Sequence, residues 1–92
     1  MPARFRVQPT NVSVTYGHQD LVLSCRAQGL PKPEIRWERT NGALPDGSQV
    51  LPSGDLKIIR VMKEDEGGYV CYIRNNVGGE RQSKTAFVTV FG

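Results

Sequence analysis

Apolar residues in this chain recur at every second position in short runs, and Gly, Pro, Asn and Asp separate the runs at intervals of about 8 to 12 residues. That period predicts strands, and helical spacing is scarce. Phe5 to Gln8 and Val12 to Tyr16 flank Pro9, whose missing N–H predicts an edge strand broken in two. After a turn at Gly17-His18-Gln19-Asp20, Leu21, Leu23 and Cys25 alternate with Val22, Ser24 and Arg26, so the first set is expected to face the core. The prolines of Gly29-Leu30-Pro31-Lys32-Pro33 stiffen the next turn, and Ile35 and Trp37 then face inward with Arg36 and Glu38 outward. Residues 40–54 hold three Gly and two Pro and read as loop, with one short edge strand near Gln49 to Leu51. Beyond Asp55 the inward sets are Leu56 and Ile58, then Tyr69, Cys71 and Ile73, then Ala86, Val88 and Val90. Asn75-Asn76-Val77-Gly78-Gly79 supplies a hairpin turn between the last two, because Asn and Gly tolerate positive φ. This count of strands predicts a two-sheet sandwich or a small barrel.

Length narrows the picture. Ninety-two residues fit one small domain over residues 1–92, with residues 1–3 read as linker or an added start. Domains of this size bury a smaller share of their surface, so a covalent staple would help, and Cys25 and Cys71 could supply it. Two cysteines and one histidine, His18, are too few for a four-ligand zinc site. The longest apolar run, Tyr69 to Ile73, is far short of the ~20 residues of a membrane-spanning helix, so no membrane insertion by this domain is expected. Twelve Lys and Arg against nine Asp and Glu give a net charge of +3, with the signs interspersed.

Cys25 and Cys71 occupy inward positions of separate strands 46 residues apart, and Trp37 lies inward 12 residues after the first. Tyr69 stands two residues before Cys71. With Gly17, Leu23-x-Cys25, Gly29-x-Pro31-x-Pro33-x-Ile35-x-Trp37, Gly54-x-Leu56-x-Ile58, Asp65-x-Gly67-x-Tyr69-x-Cys71, Asn75-x-x-Gly78 and Ala86-x-Val88-x-Val90, the chain resembles the I-set immunoglobulin family over nearly its whole length. The resemblance implies an all-β, two-sheet Greek-key sandwich with a Cys25–Cys71 bridge under Trp37. It also makes Tyr69 a tyrosine corner and Asp65 and Gly67 parts of the turn before it. The alternative is a pair of buried free thiols in an intracellular muscle, titin-like module. Local stretches, Trp37-x-Arg39-x-x-Gly42-x-Leu44-Pro45 among them, are similar to modules of perlecan-type proteoglycans, Roundabout receptors and peroxidasin. Only 18 residues separate Trp37 from Leu56, too few for the extra hairpin of a variable domain, and no arginine there is expected to pair with Asp65.

Catalytic chemistry finds little support. His18 sits in a turn, and the acidic run Glu64-Asp65-Glu66 lacks the EF-hand spacing of a calcium loop. The Gly-rich stretches precede no helix, and no RNA-recognition motif is present. The expectation is a non-enzymatic domain with no cofactor, no metal and no nucleic-acid partner.

What remains is binding. One outward set, Arg36, Glu38, Val70, Tyr72, Arg74 and Phe87, is rich in the residue types of protein contacts and is the candidate protein-binding face, with Tyr72 and Phe87 as an aromatic pair on adjacent strands. The opposite sheet offers Arg26, Lys57, Arg60 and Lys63, a candidate heparan sulfate site through charge. Asn11-Val12-Ser13 is an N-glycosylation sequon. The resulting expectation is a protein-recognition or adhesion module of an extracellular matrix or cell-surface protein, with homodimerisation as one form of recognition. The alternative is a structural spacer.

Overall fold

The structure is a computed structural model that describes residues 1–17 and 19–92. His18, read above as a turn residue, lies outside the described residues. Among the described residues ten strands follow in order: β1 (Arg4–Val7), β2 (Val12–Thr15), β3 (Leu21–Leu23), β4 (Arg26–Gln28), β5 (Glu34–Arg39), β6 (Gln49–Val50), β7 (Leu56–Ile58), β8 (Gly67–Arg74), β9 (Arg81–Gln82) and β10 (Ala86–Phe91). A 3-10 turn, Lys63–Asp65, connects β7 to β8.

One layer contains the ladder β3-β7-β6 together with the β1-β4 pair. The other is β2-β10-β8-β5, with β9 also on β8; β2 runs parallel to β10 and every other pairing is antiparallel. Pro9 marks the crossing. Before it β1 pairs with β4, after it β2 pairs with β10, and its fully buried ring sits where no ladder N–H is required. The broken edge strand of the sequence is thus shared between the two layers.

The alternation holds where the core is made. Leu21, Leu23 and Cys25 are buried, as are Trp37, Leu56, Ile58, Tyr69, Cys71, Ile73, Val88 and Val90. Cys25 and Cys71 form the disulfide, with 6.5 Å between their Cα atoms, and Trp37 is the direct ladder partner of Cys71. The strand expected through Leu21 to Arg26 is interrupted, because the Cys25 N–H donates to Asp55 Oδ1 at 3.0 Å instead of to a neighbouring strand. The last strand is interrupted too. Ser83, buried between β9 and β10, accepts the Cys71 N–H on its hydroxyl at 2.9 Å and donates its own N–H to the Cys71 carbonyl at 2.8 Å.

Of residues 1–3, read as linker or an added start, Met1 and Pro2 are exposed and Ala3 is buried, and Met1 is hydrogen-bonded to the domain. Ala3 is 1% exposed, and the Met1 carbonyl accepts both the Leu30 N–H at 3.0 Å and Asn75 Nδ2–H at 2.9 Å. Asn75 also donates to the Pro31 carbonyl at 2.9 Å, so one side chain ties the first residues, the proline turn and the turn after β8. Gly92, by contrast, lies with Tyr16, Met62, Lys63 and Glu64 near the 3-10 turn. The two ends therefore sit at opposite poles of a body 44 Å long and 20 Å across.

Candidate recognition face

The outer surface of β5 and β8 is set by their register, which places Glu34 opposite Arg74, Arg36 opposite Tyr72 and Glu38 opposite Val70. Gln82 of β9 lies on the other side of Tyr72. Arg36 is the hub. Its guanidinium lies 4.3 Å from the Tyr72 ring centroid, donates to Glu38, and reaches both carboxylate oxygens of Glu80 at 3.2 Å. The hydrogen bond to Glu80 raises the Arg36 pKa above its ordinary value, opposed by desolvation and helped by Glu38. Glu34, Ile35, Arg36, Tyr72, Arg74 and Glu80 line an open groove of about 440 Å³. Charged walls and openness suit a protein segment better than a small apolar ligand.

Two members of the expected face lie on it but not at this hub. Val70, opposite Glu38, is 4% exposed and so offers a partner almost no surface. Phe87 is 55% exposed but pairs with Gly68, four residues along β8 from Tyr72 and roughly 13 Å away, so the two aromatics are not a cross-strand pair. The separation follows from the hairpin itself, since Tyr72 already pairs with Gln82, five residues before Phe87. Glu80 was missed by the sequence reading, since it falls in the turn before β9 where no period assigns a face.

The residues behind this face are structural. Tyr69 is buried and its hydroxyl donates to the Asp65 carbonyl at 2.7 Å; burial pushes its pKa up to about 12. Asp65 Oδ2 accepts the Met62 N–H at 2.8 Å, and Gly67 begins β8 at φ +136°, a conformation that L side chains rarely adopt. No ion pair to Asp65 exists among the described residues. Arg39 instead donates to the carbonyls of Glu64 and, at 2.8 Å, Glu66, with its guanidinium 5.7 Å from the Tyr69 ring centroid.

On the opposite layer the expected basic cluster is largely paired. Arg26 meets Asp55 at 3.2 Å, Lys57 meets Asp20 at 3.7 Å, and Lys63 meets Glu66 at 2.9 Å. Arg60, at φ +56°, donates its backbone N–H to Asp20 Oδ1 at 3.0 Å. For Asp55, burial works to raise its pKa, but hydrogen bonds from Arg26 and the Cys25 N–H prevail and hold it below its ordinary value.

A two-layer sandwich tied by a bridge beneath a tryptophan has a counterpart among known families: the family model "Immunoglobulin domain" matches residues 2–75. The chain belongs to the immunoglobulin domain family. Among curated relatives, "Cell adhesion molecule DSCAM" of Gallus gallus is 37% identical over 99 aligned residues, covering 98% of this domain and 5% of that protein. "Hemicentin-2" of Mus musculus is 39% identical over 72 residues, 76% of this domain and 1% of the relative. This immunoglobulin domain therefore spans a few per cent of the length of these relatives. Of solved structures, the Drosophila OTK extracellular domains 3–5 superpose with a TM-score of 0.82 at 30% identity, covering 99% of this chain and 32% of that one. An immunoglobulin domain from the complex of titin with obscurin-like 1 gives 0.81 at 29% identity over 98% of this chain and 94% of that one.

Proposed function

We propose that this immunoglobulin domain is a recognition module of a multidomain adhesion protein outside the cell, and that it binds a protein partner through the outer face of β5, β8 and β9. The observation that carries this is the exposed arginine hub. Arg36 is already stacked on Tyr72 and held by Glu38 and Glu80, so the anchor is presented in one orientation and little side-chain freedom is lost when a partner docks on it. Aromatic and arginine anchors of this kind carry most of the energy in protein interfaces. Similarity to a cell adhesion molecule and to the extracellular domains of OTK supports the setting, as does the disulfide, which persists in oxidising compartments. The likeness of local stretches to perlecan-, Roundabout- and peroxidasin-type modules fits the same setting. No step of this reading requires catalysis.

The similarity to the titin complex favours a second reading, a structural spacer. Heparan sulfate has less support than a protein partner, since three of the four cations proposed for it are held by carboxylates. Tyr72→Ser in the full-length protein displayed on cells should abolish adhesion while display and thermal midpoint stay near wild type. Undiminished adhesion would leave only the spacer reading.

A further inference from the structure

The sequon Asn11-Val12-Ser13 lies at the outer edge of the second layer, where Asn11 precedes β2 and is exposed, as is Ser13. The orientation of its carboxamide is fixed by its partner. The Phe87 backbone N–H donates to Asn11 Oδ1 at 2.9 Å, and since only the carbonyl prong can accept, Nδ2 is the prong left over. N-linked glycosylation uses Nδ2 alone. The sugar takes the place of one of its hydrogens, so the bond from Phe87 to Oδ1 survives the modification. A second observation concerns the ring of Phe87 itself. β2 and β10 run parallel with Val12 opposite Val88, which sets Asn11 level with Phe87, and that side chain is 55% exposed at the strand beside the sequon.

We infer that Asn11 carries an N-linked glycan whose first N-acetylhexosamine lies on the Phe87 ring. In the transfer, a bond forms between Nδ2 and the anomeric carbon of the sugar as the bond from that carbon to a lipid-linked diphosphate breaks. The diphosphate leaves with the electron pair, and Nδ2 gives up one proton. The apolar face of the pyranose then covers aromatic surface that water meets in the bare chain. The glycan also shields β2, whose outer edge is open to pairing with another chain. It leaves the Arg36 and Tyr72 end of the face free, because Phe87 pairs four residues away along β8. The inference rests on the extracellular reading.

The test begins with the full protein from its native source, mapped by mass spectrometry after release with a peptide N-glycosidase in heavy-oxygen water, with free thiols alkylated beforehand. The expected result is heavy-oxygen label at position 11 and no alkylated cysteine. An unlabelled position 11 with the disulfide intact overturns the inference alone; an unlabelled position with both cysteines alkylated overturns it together with the extracellular reading. The contact with Phe87 is tested by Ser13→Ala, which blocks the sequon without touching Asn11, in protein secreted from a eukaryotic host. It should lower the thermal midpoint by several degrees in the wild-type background and leave it unchanged in the Phe87→Ser background. Equal shifts in both backgrounds would overturn the stacking.

Discussion

Tyr69 shows how one buried polar atom is made tolerable. Its ring fills the core while its hydroxyl satisfies the Asp65 carbonyl at the turn, so Tyr69→Phe keeps the packing and strands an acceptor. The expected loss is roughly 1 to 3 kcal/mol, measured by denaturant unfolding. Titration gives the same residue a pH signature. Its folded pKa of about 12 lies above the ordinary 10.0, so the folded chain holds this proton more tightly than the unfolded one. Stability from this group is therefore intact below pH 10 and falls as pH rises from there towards 12, and that part of the fall should vanish in Tyr69→Phe. Gly54 is as constrained. At φ +99° its Cβ would stand 2.7 Å from the Cys25 carbonyl oxygen and 2.3 Å from Ile35 Cδ1, and its own carbonyl accepts Trp37 Nε1–H at 2.8 Å. Gly54→Ala should cost more than the ~1 kcal/mol of an ordinary unfavourable backbone substitution, read as a lowered denaturation midpoint. Tyr69 was legible from its spacing to Cys71, whereas the contacts of Asp55 and Arg39 were not. These side chains act on backbone atoms 25 to 30 residues away, which no local period encodes.

Strands behave differently, because period two is a property of the chain and survives in any antiparallel layer. The core faces of β3, β5, β7, β8 and β10 were readable for that reason. The breaks in the strands were not. Between β9 and β10 the ladder is replaced by Ser83, which gives and takes hydrogen bonds with Cys71 and donates its hydroxyl proton to the Lys84 carbonyl at 2.8 Å. Continued straight from the Tyr72–Gln82 pair, the ladder would set Phe87 opposite Gly67 with its side chain inward, and the one-residue break places it opposite Gly68 with its side chain outward. Ser83→Ala should leave the Cys71 N–H without its acceptor and destabilise by about 1 to 3 kcal/mol, while Ser83→Thr, if its hydroxyl takes the same position, should recover part of the loss. Amide exchange at Cys71, slow in the wild type, should quicken in Ser83→Ala. An unchanged exchange rate would mean that this bond does not protect the strand.

At the scale of the molecule, a bridge between the two layers closes a loop of about 47 residues, and loop-closure entropy gives it roughly 4 kcal/mol of a total of about 5 to 15. Reduction should lower the denaturation midpoint substantially, and a midpoint insensitive to reductant would show that the core alone suffices. The elongated body, 44 Å from pole to pole, leaves one long outer sheet between its ends, on which the charged hub is the feature best placed to meet a partner. The measurement that bears most directly on this is the adhesion of cells displaying the full-length protein with Arg36→Ala, set beside the same protein with Arg60→Ala on the opposite layer, with the thermal midpoint of each domain recorded in parallel. The account predicts that Arg36→Ala weakens adhesion at least tenfold, on the order of 1.4 kcal/mol, with a midpoint within a few degrees of wild type, and that Arg60→Ala adheres normally. Equal adhesion by the two variants at equal display would contradict it.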